Sequence, residues 1–305
     1  MNFNCLNLKI SRKRTFSLFL FAFFLWFIYH PGCFAGEKKH NPDAKITTSA
    51  KKKAYQPEKK KEAPKTKRDR LQITPDLMQT DKRAALPFKG NAHCGPVSVA
   101  GAMIWLANRG YPELAPSRNP GIKEQSRLAI EIGNMMNTTR RKGTTVNGFL
   151  RGIESYLSSK NCKFASLKYQ GWQRCEKKYH SGIKKPHPDW IFKSFDDSSC
   201  VFLKIGWYRY FPDKKEYVRF AGHFVNVVGL DRNSHRLIIH DPSPRSGVEK
   251  QSEKVSLIKL KEGKIVSGWV KPFSANAMYK LASQLKLKTG ADLGILDGII
   301  ILKMK

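Results

Sequence analysis

Apolar residues recur with a helical period in three stretches of the first half of the chain. The spacing predicts helices over 97–108, 122–136 and 146–157. Gly110 and Pro112 follow the first of these stretches and are expected to end it. Thr144 or Thr145 precedes the third and is expected to cap it. The apolar stripes are interpreted as the packing faces of a helical layer.

The second half of the chain shows short apolar runs separated by turns. Strands are expected over 163–169, 200–206, 223–229, 236–241, 255–260 and 294–303. Two of them, 223–229 and 236–241, are joined by the turn 231–234 and form a hairpin. A short helix is expected at 190–195 and another around 275–285. Because the expected helices come first along the chain and most of the expected strands follow them, the sequence predicts an α+β domain.

The first 35 residues have the pattern of a signal peptide. Four basic and no acidic residues occur there, and the basic ones precede the apolar run 15–29. The run is shorter than the roughly 20 residues of a spanning helix, and Ala35 is a suitable cleavage residue. Export to the periplasm, the cell envelope or the exterior is therefore expected. A retained anchor and lipidation at Cys33 are the alternatives.

Residues 36–75 are rich in lysine and proline and have no apolar period. This composition predicts a disordered linker, with the folded domain at 76–305. The basic linker is a candidate for contact with a membrane surface.

Positive charge is spread over the whole chain. The net charge is +32, and residues 71–305 alone carry +20. Such a field attracts anionic partners, which favours a peptide or protein substrate with acidic character. The alternative is a lysine-rich composition that serves solubility. No nucleic-acid-binding module is recognisable, so a specific nucleic-acid partner is not predicted.

Six cysteines occur, at positions 5, 33, 94, 162, 175 and 200. The first two fall in the signal region. Cysteines of exported proteins are read first as disulfides, and if Cys94 is free, Cys162 and Cys175 are the favoured pair. Cys175 shares the loop 171–188 with His180 and His187, but their spacing matches no common zinc site. No metal or cofactor is predicted.

Cys94 stands directly before Gly95-Pro96 and an apolar helix. Glycine suits a tight turn, and proline suits the first helical turn. A thiol at a helix N-terminus is exposed to the helix dipole and to free N–H groups, both of which favour the thiolate.

The predicted hairpin supplies a base and an orienting acid. His223 opens one strand and Asp241 closes the next, so both are expected at the same edge. Cysteine, histidine and aspartate in this order have the roles of nucleophile, base and orienter. Asp231 is a second candidate orienter, but it lies in the turn at the far end of the hairpin.

Three blocks of the sequence resemble a known family. Cys94-Gly-Pro-Val-Ser-Val-Ala, Gly222-His-Phe-Val-Asn-Val-Val-Gly and Ile239-His-Asp-Pro are similar to motifs of bacterial papain-like cysteine peptidases of the double-glycine leader type (family thirty-nine-like). The resemblance spans about residues 80–245. It implies a papain-like fold, in which the cysteine helix packs on an antiparallel sheet that carries His223 and Asp241. It also implies the three roles named above.

One position departs from the family pattern. These enzymes carry a glutamine shortly before the cysteine that donates to the oxyanion, and here that position is Phe88. Asn91 is the nearest amide and the candidate substitute. The expected function is an exported thiol hydrolase of peptide or amide bonds. A transglutaminase-like acyltransferase and an inactive module that binds an anionic envelope partner are the alternatives.

Overall fold

A computed structural model of the chain describes residues 68–244 and 252–305. The predicted signal peptide, and the predicted linker up to residue 67, lie outside the described residues. Within these ranges no helix has the length and apolar character needed to cross a membrane.

Five helices and nine strands form the described part of the chain. The helices are α1 (Arg68–Ile73), α2 (Cys94–Ala107), α3 (Ile122–Met135), α4 (Val146–Ser159) and α5 (Pro188–Ser194). The strands are β1 (Phe164–Gly171), β2 (Ser199–Phe211), β3 (Glu216–Asp231), β4 (Arg236–His240), β5 (Glu253–Lys259), β6 (Lys264–Ser267), β7 (Val270–Ser274), β8 (Tyr279–Ser283) and β9 (Leu293–Met304).

Six of the strands close into an antiparallel barrel. The pairing runs β2–β3–β4–β5–β8–β9 and returns to β2, because β9 pairs with β8 on one edge and with β2 on the other. The remaining three strands lie outside this ring. β1 continues from β9, β6 pairs in parallel with the start of β3, and β7 pairs with β6.

Alternate residues of the six strands fill the barrel. Val201, Leu203 and Ile205 of β2 pack in one buried cluster with side chains from the other five strands. The intervening positions of β2, such as Cys200 and Phe202, belong instead to the cluster formed with the helices. The two faces of β2 are therefore both buried, as its nearly continuous apolar run requires.

Helix α2 is the central element of the helical layer. All of its residues except Cys94 are buried, which explains why it is apolar all round rather than amphipathic. It contacts α3, the amphipathic helix packed on it, and β3. Ser98 donates a hydrogen bond to the carbonyl oxygen of Phe224 at 3.2 Å, which fixes α2 against β3.

The closed barrel overturns the papain-like α+β fold expected from the sequence. That expectation required an open arrangement of a helical part against a sheet, whereas β9 closes the strands into a ring. The helix expected around residues 275–285 is also wrong. That stretch forms β8, which pairs with β5 and β9 and so supplies one side of the ring.

Several local expectations are confirmed. α3 and α4 match the predicted helices closely, and Thr145 caps α4 by accepting a hydrogen bond from the Gly148 N–H. The hairpin of β3 and β4 forms as expected, but β3 begins at Glu216, so His223 lies within the strand and not at its start as expected. At residues 68–75, assigned to the linker from sequence, the structure instead contains α1. Its Arg70 is buried, and the guanidinium stacks 3.7 Å from the ring centroid of Trp105.

Candidate active site

Cys94 is the first residue of α2 and is half-buried. The N–H groups of a first helical turn have no intrahelical acceptor, so the thiol lies among free donors. Gly95 has no left-handed backbone. A Cβ atom there would lie 3.1 Å from the Thr144 hydroxyl, so the glycine permits close packing of two segments rather than a turn.

The tight turn expected at Gly95 lies instead at residues 88–90, in the segment that leads to Cys94. Phe88, Lys89 and Gly90 all have positive φ angles, of 57°, 54° and 77°. Non-glycine residues rarely adopt this conformation, and such strain concentrates at functional sites. Gln79 supports the turn, since its side-chain nitrogen donates to the Gly90 carbonyl at 2.7 Å.

The structure brings His223 and Asp241 to Cys94. The His223 ring forms hydrogen bonds with the thiol and, through Nε2, with Asp241 Oδ1. Asp241 also accepts the N–H of Ser243 at 2.9 Å, which holds the carboxylate in place. His223 and Asp241 are 5% and 3% exposed, so this chain of bonds is shielded from water.

The surroundings of Cys94 favour its thiolate. Burial alone raises the pKa of the thiol, but the opposing effects are larger. They are the hydrogen bond and charge of His223, the charge of Lys204 and a hydrogen bond from the Phe224 backbone, and they lower the pKa to about 7.

His223 is held in its charged form. Burial alone lowers the pKa of the imidazole, and the Asp241 carboxylate together with Cys94 raises it to about 9. Between these two values the thiolate and the imidazolium coexist as an ion pair. This is the state from which a cysteine nucleophile attacks and a histidine donates a proton.

A cleft of about 730 Å³ lies beside the thiol. Its lining combines cations and aromatic rings, and no carboxylate of the described residues is part of it. The cations are Arg140, Arg141, Lys142, Arg174, Lys204 and Arg219, and the rings are Trp172, Phe220 and Trp269. A cleft lined by one sign of charge concentrates ligands of the opposite sign.

Among these cations, Lys204 is the most buried one that forms no salt bridge with a carboxylate of the described residues. It is 6% exposed, and its ammonium lies 3.9 Å from the ring centroid of Phe224. Nζ has no hydrogen-bond acceptor and no carboxylate partner among the described residues. Burial lowers its pKa to about 8, and repulsion from Arg219 acts in the same direction.

Asp297 lies behind Arg219 and is not part of the cleft lining. It is fully buried and accepts hydrogen bonds from four side chains. The donors are Trp172 Nε1 (3.2 Å), Gln173 Nε2 (3.0 Å), Tyr208 OH (2.6 Å) and Arg219 Nε (2.7 Å). A buried carboxylate is tolerated when its lone pairs are satisfied in this way, and it fixes Arg219 in one orientation.

A β-bulge aims Asp297 into this position. Lys204 of β2 pairs with Gly298 of β9, and the next residue, Ile205, pairs with Leu296. Asp297 is therefore an additional residue that interrupts the ladder. Bulges of this kind redirect a side chain and are common beside active sites.

Asn91 lines the cleft close to Cys94 and is exposed, so its amide is free to face a substrate. Phe88, at the position of the family glutamine, is 42% exposed and packs its ring 5.9 Å from that of His93. Asn91 and the Cys94 backbone N–H are therefore candidate donors for an oxyanion.

Three other polar candidates have different surroundings from those of His223 and Asp241. Asp231 accepts the Ser234 N–H in the turn at the far end of the hairpin. His93 is buried at the start of α2, where burial lowers its pKa, and His240 is buried beside Asn226.

The disulfide expected between Cys162 and Cys175 is absent, since all four cysteines of the described residues are free. The Cys162 thiol donates to Glu113 at 2.7 Å instead. In the loop 171–188, which was considered as a zinc site, His180 Nδ1 accepts a hydrogen bond from the Gly182 N–H. No group of three or more metal-binding side chains is assembled in the described ranges.

Sequence reasoning missed Lys204, Arg219 and Asp297. Two of them carried a usable signal. Lys204 and Asp297 each interrupt an otherwise apolar strand, and a charged residue in a buried strand requires a partner or a ligand. Arg219 lies in a polar part of β3 and carried no such signal.

Comparison with known proteins assigns no relatives to this site. The chain matches no protein-family model, and no curated protein is significantly similar to it.

Proposed function

We propose that this chain is a thiol hydrolase that cleaves peptide or amide bonds through Cys94, His223 and Asp241. The observation that carries the proposal is the continuous chain of hydrogen bonds from thiol to imidazole to carboxylate, placed at a helix N-terminus and beside an open cleft. The local resemblance to double-glycine leader peptidases supports the same three roles. The papain-like fold is not part of the proposal.

The first half of the reaction uses the ion pair. The Cys94 thiolate attacks the carbonyl carbon, and the developing oxyanion accepts hydrogen bonds from the Cys94 N–H and the Asn91 amide. The tetrahedral intermediate collapses as the carbon–nitrogen bond breaks. The His223 imidazolium gives its proton to the leaving amine, which departs and leaves a thioester on Cys94.

The second half regenerates the enzyme. Neutral His223 accepts a proton from water, and the resulting hydroxide attacks the thioester carbon. The carbon–sulfur bond breaks, and the acid and the Cys94 thiolate are released. Asp241 stabilises the imidazolium in each half and keeps the ring oriented.

Export of the chain is proposed on the residue pattern of its first 35 residues alone. The basic segment, the apolar run and Ala35 support a cleaved signal peptide, with the catalytic domain acting outside the cytoplasm.

Trapping of the acyl-enzyme tests the proposed function. The full chain is mixed with p-nitrophenyl acetate, quenched in acid and mapped by mass spectrometry. Acetylation is expected on the Cys94 peptide, with continued release of p-nitrophenol as the thioester hydrolyses. Cys175→Ser is the matched control, since Cys175 is another half-buried thiol, and it should react like the unmodified chain. A Cys94 that acetylates no faster than Cys175 would contradict the proposal.

A further inference from the structure

We propose that Lys204 and Arg219 form a subsite for a carboxylate that the substrate carries next to the carbonyl attacked by Cys94. The substrate class is then a peptide or amide with an acidic side chain, or a terminal carboxylate, beside the scissile bond. This inference rests on the proposed function of Cys94 and goes beyond it by naming what the cleft recognises.

Lys204 is a buried cation of the cleft. Its side chain is nine-tenths buried, lines the cleft and has no hydrogen-bond acceptor among the described residues. Burying an ammonium without a hydrogen-bonded anion is unfavourable, and the Phe224 ring together with the charges of Cys94 and Asp297 offsets only part of this cost. A cation held in this way is preorganised to bind an anionic group of the substrate.

Arg219 lies beside Lys204. A Cβ atom at Gly222 would lie 2.9 Å from Lys204 Nζ and 2.4 Å from Arg219 Nη2. The two nitrogens therefore approach the same point, and the absence of a side chain at Gly222 leaves that point open. Gly222 lines the cleft as well.

The local charge balance also favours an anion. Asp297 neutralises one of the two cations by accepting a hydrogen bond from Arg219 Nε, and Nη2 of the same guanidinium lies towards Gly222. Lys204, Arg219 and Asp297 together carry one net positive charge, which faces the Cys94 thiolate as well as the cleft. That charge matches a monoanion, and the planar guanidinium end suits a carboxylate.

Lys204 lies on the same side of the cleft as the thiol. Lys204 and Cys94 both line this cleft, and Lys204 pairs across the sheet with Phe224, the neighbour of His223. A carboxylate held by Lys204 is thus carried close to the bond that Cys94 attacks. The exposed cations of the cleft rim, such as Lys142, contribute only to the general field.

Charge-selective alkylation tests the subsite. The rate constants for modification of Cys94 by iodoacetate and by iodoacetamide are measured in the full chain, with peptide mapping to exclude other thiols. The ratio of the two constants cancels the thiolate fraction, because both reagents attack the same thiolate. Lys204→Met should lower this ratio about tenfold or more, whereas the matched rim variant Lys142→Met should change it less than twofold.

Two results would overturn the subsite. One is an unchanged ratio of the iodoacetate and iodoacetamide rate constants in Lys204→Met, and the other is an equal fall of this ratio in Lys142→Met. Lys204→Met keeps an unbranched side chain against Phe224, and its thermal midpoint should equal or exceed that of the unmodified chain. A midpoint that falls sharply would show that Lys204 serves the fold, and it would also count against the proposal.

Protection by small carboxylates identifies the source of the anion. N-acetylglutamate amide offers a side-chain carboxylate, N-acetylalanine offers a terminal one, and N-acetylglutamine amide is the neutral control. A compound that lowers the rate of Cys94 alkylation by iodoacetamide in the unmodified chain, but not in Lys204→Met, shows which carboxylate the subsite binds. Equal effects of the acids and the neutral control would overturn the inference.

Failure of the proposed function can be distinguished from failure of the subsite. If Cys94 is alkylated at the rate of a free thiol, and His223→Ala leaves that rate unchanged, the catalytic proposal is wrong whatever the ratio of the two reagents. A low thiol pKa with no preference for iodoacetate would remove only the subsite.

Discussion

His223 and Asp241 are joined by a hydrogen bond across 18 positions of sequence. The hairpin of β3 and β4 makes this contact possible, because Asn226 pairs with His240 and so brings the residue after β4 back towards His223. Asp241 holds the imidazole in its charged form, and the imidazolium in turn holds the Cys94 thiolate. Reactivity at Cys94 therefore depends on a residue that does not touch it.

Asp241→Asn tests this dependence. Loss of the carboxylate removes the charge that raises the pKa of His223 to about 9, so the imidazolium is lost at lower pH. The turnover of p-nitrophenyl acetate should fall about 10²-fold at pH 8, and its alkaline limb should move below 9. Asp231→Asn is the control at the far end of the hairpin. Equal profiles for the two variants would show that Asp241 has no special role.

Asn91→Ala separates oxyanion stabilisation from thiol reactivity. An amide that donates to the oxyanion contributes about 10²–10³-fold to acyl transfer, whereas alkylation by iodoacetamide forms no oxyanion. The variant should therefore lose acylation by p-nitrophenyl acetate while its alkylation rate stays within twofold. Parallel loss of both rates would assign Asn91 to the shape of the loop instead.

The substitution Asp76→Asn tests whether the buried carboxyl of Asp76, near Asp241, keeps its proton in the folded state. Burial, followed by the charges of Glu253 and Asp241, raises the pKa of Asp76 to about 8. The folded state thus binds this proton more tightly than the unfolded chain, whose carboxyl has a pKa of about 3.9. Asp76 therefore costs stability progressively as the pH rises between these values.

Thermal unfolding across pH measures this cost. The asparagine variant should gain stability relative to the unmodified chain from about pH 4 upwards, with no further gain above about pH 8. A difference between the two chains that does not vary with pH would show that Asp76 ionises normally.

Gly90→Ala tests the strained turn before Cys94. Gly90 has a φ angle of +77°, and a Cβ atom there would lie 1.6 Å from the backbone oxygen of Gln79. The substitution should lower the free energy of unfolding by more than about 2 kcal/mol, as measured by urea unfolding. Gly268→Ala is the control, since a Cβ atom at Gly268 meets nothing within 4 Å. Similar effects of the two substitutions would contradict the account of the turn.

Local features were predictable from the sequence because they depend on neighbouring residues. The apolar period of α3 and α4, the Thr145 cap and the turn that joins β3 to β4 are all encoded within a few positions. The hairpin brings Asp241, directly after β4, back to His223 within β3.

Closure of the barrel was not predictable in this way. It depends on β9, whose partners β2 and β8 are set by tertiary packing rather than by local pattern. The stretch 275–285 illustrates the difficulty, since its apolar residues fit a short helix as well as the strand β8 that the ring selects. The resemblance of three short blocks to a papain-like family identified candidate chemistry but gave the wrong architecture.

The cationic part of the site was missed for a related reason. Lys204 and Arg219 meet only because β2 and β3 pair, and Asp297 reaches them only through a bulge in β9. A charged residue inside an apolar strand marks such a place, although the sequence does not show which partner it meets.

The central claim is a working thiolate–imidazolium pair, and the rate of Cys94 alkylation by iodoacetamide against pH tests it most directly. The account predicts an inflection near pH 7 in the full chain. In His223→Ala the inflection should move up towards the free-thiol value of roughly 8.5. A single inflection near that free value in both proteins would contradict the pair, and with it the proposed hydrolase.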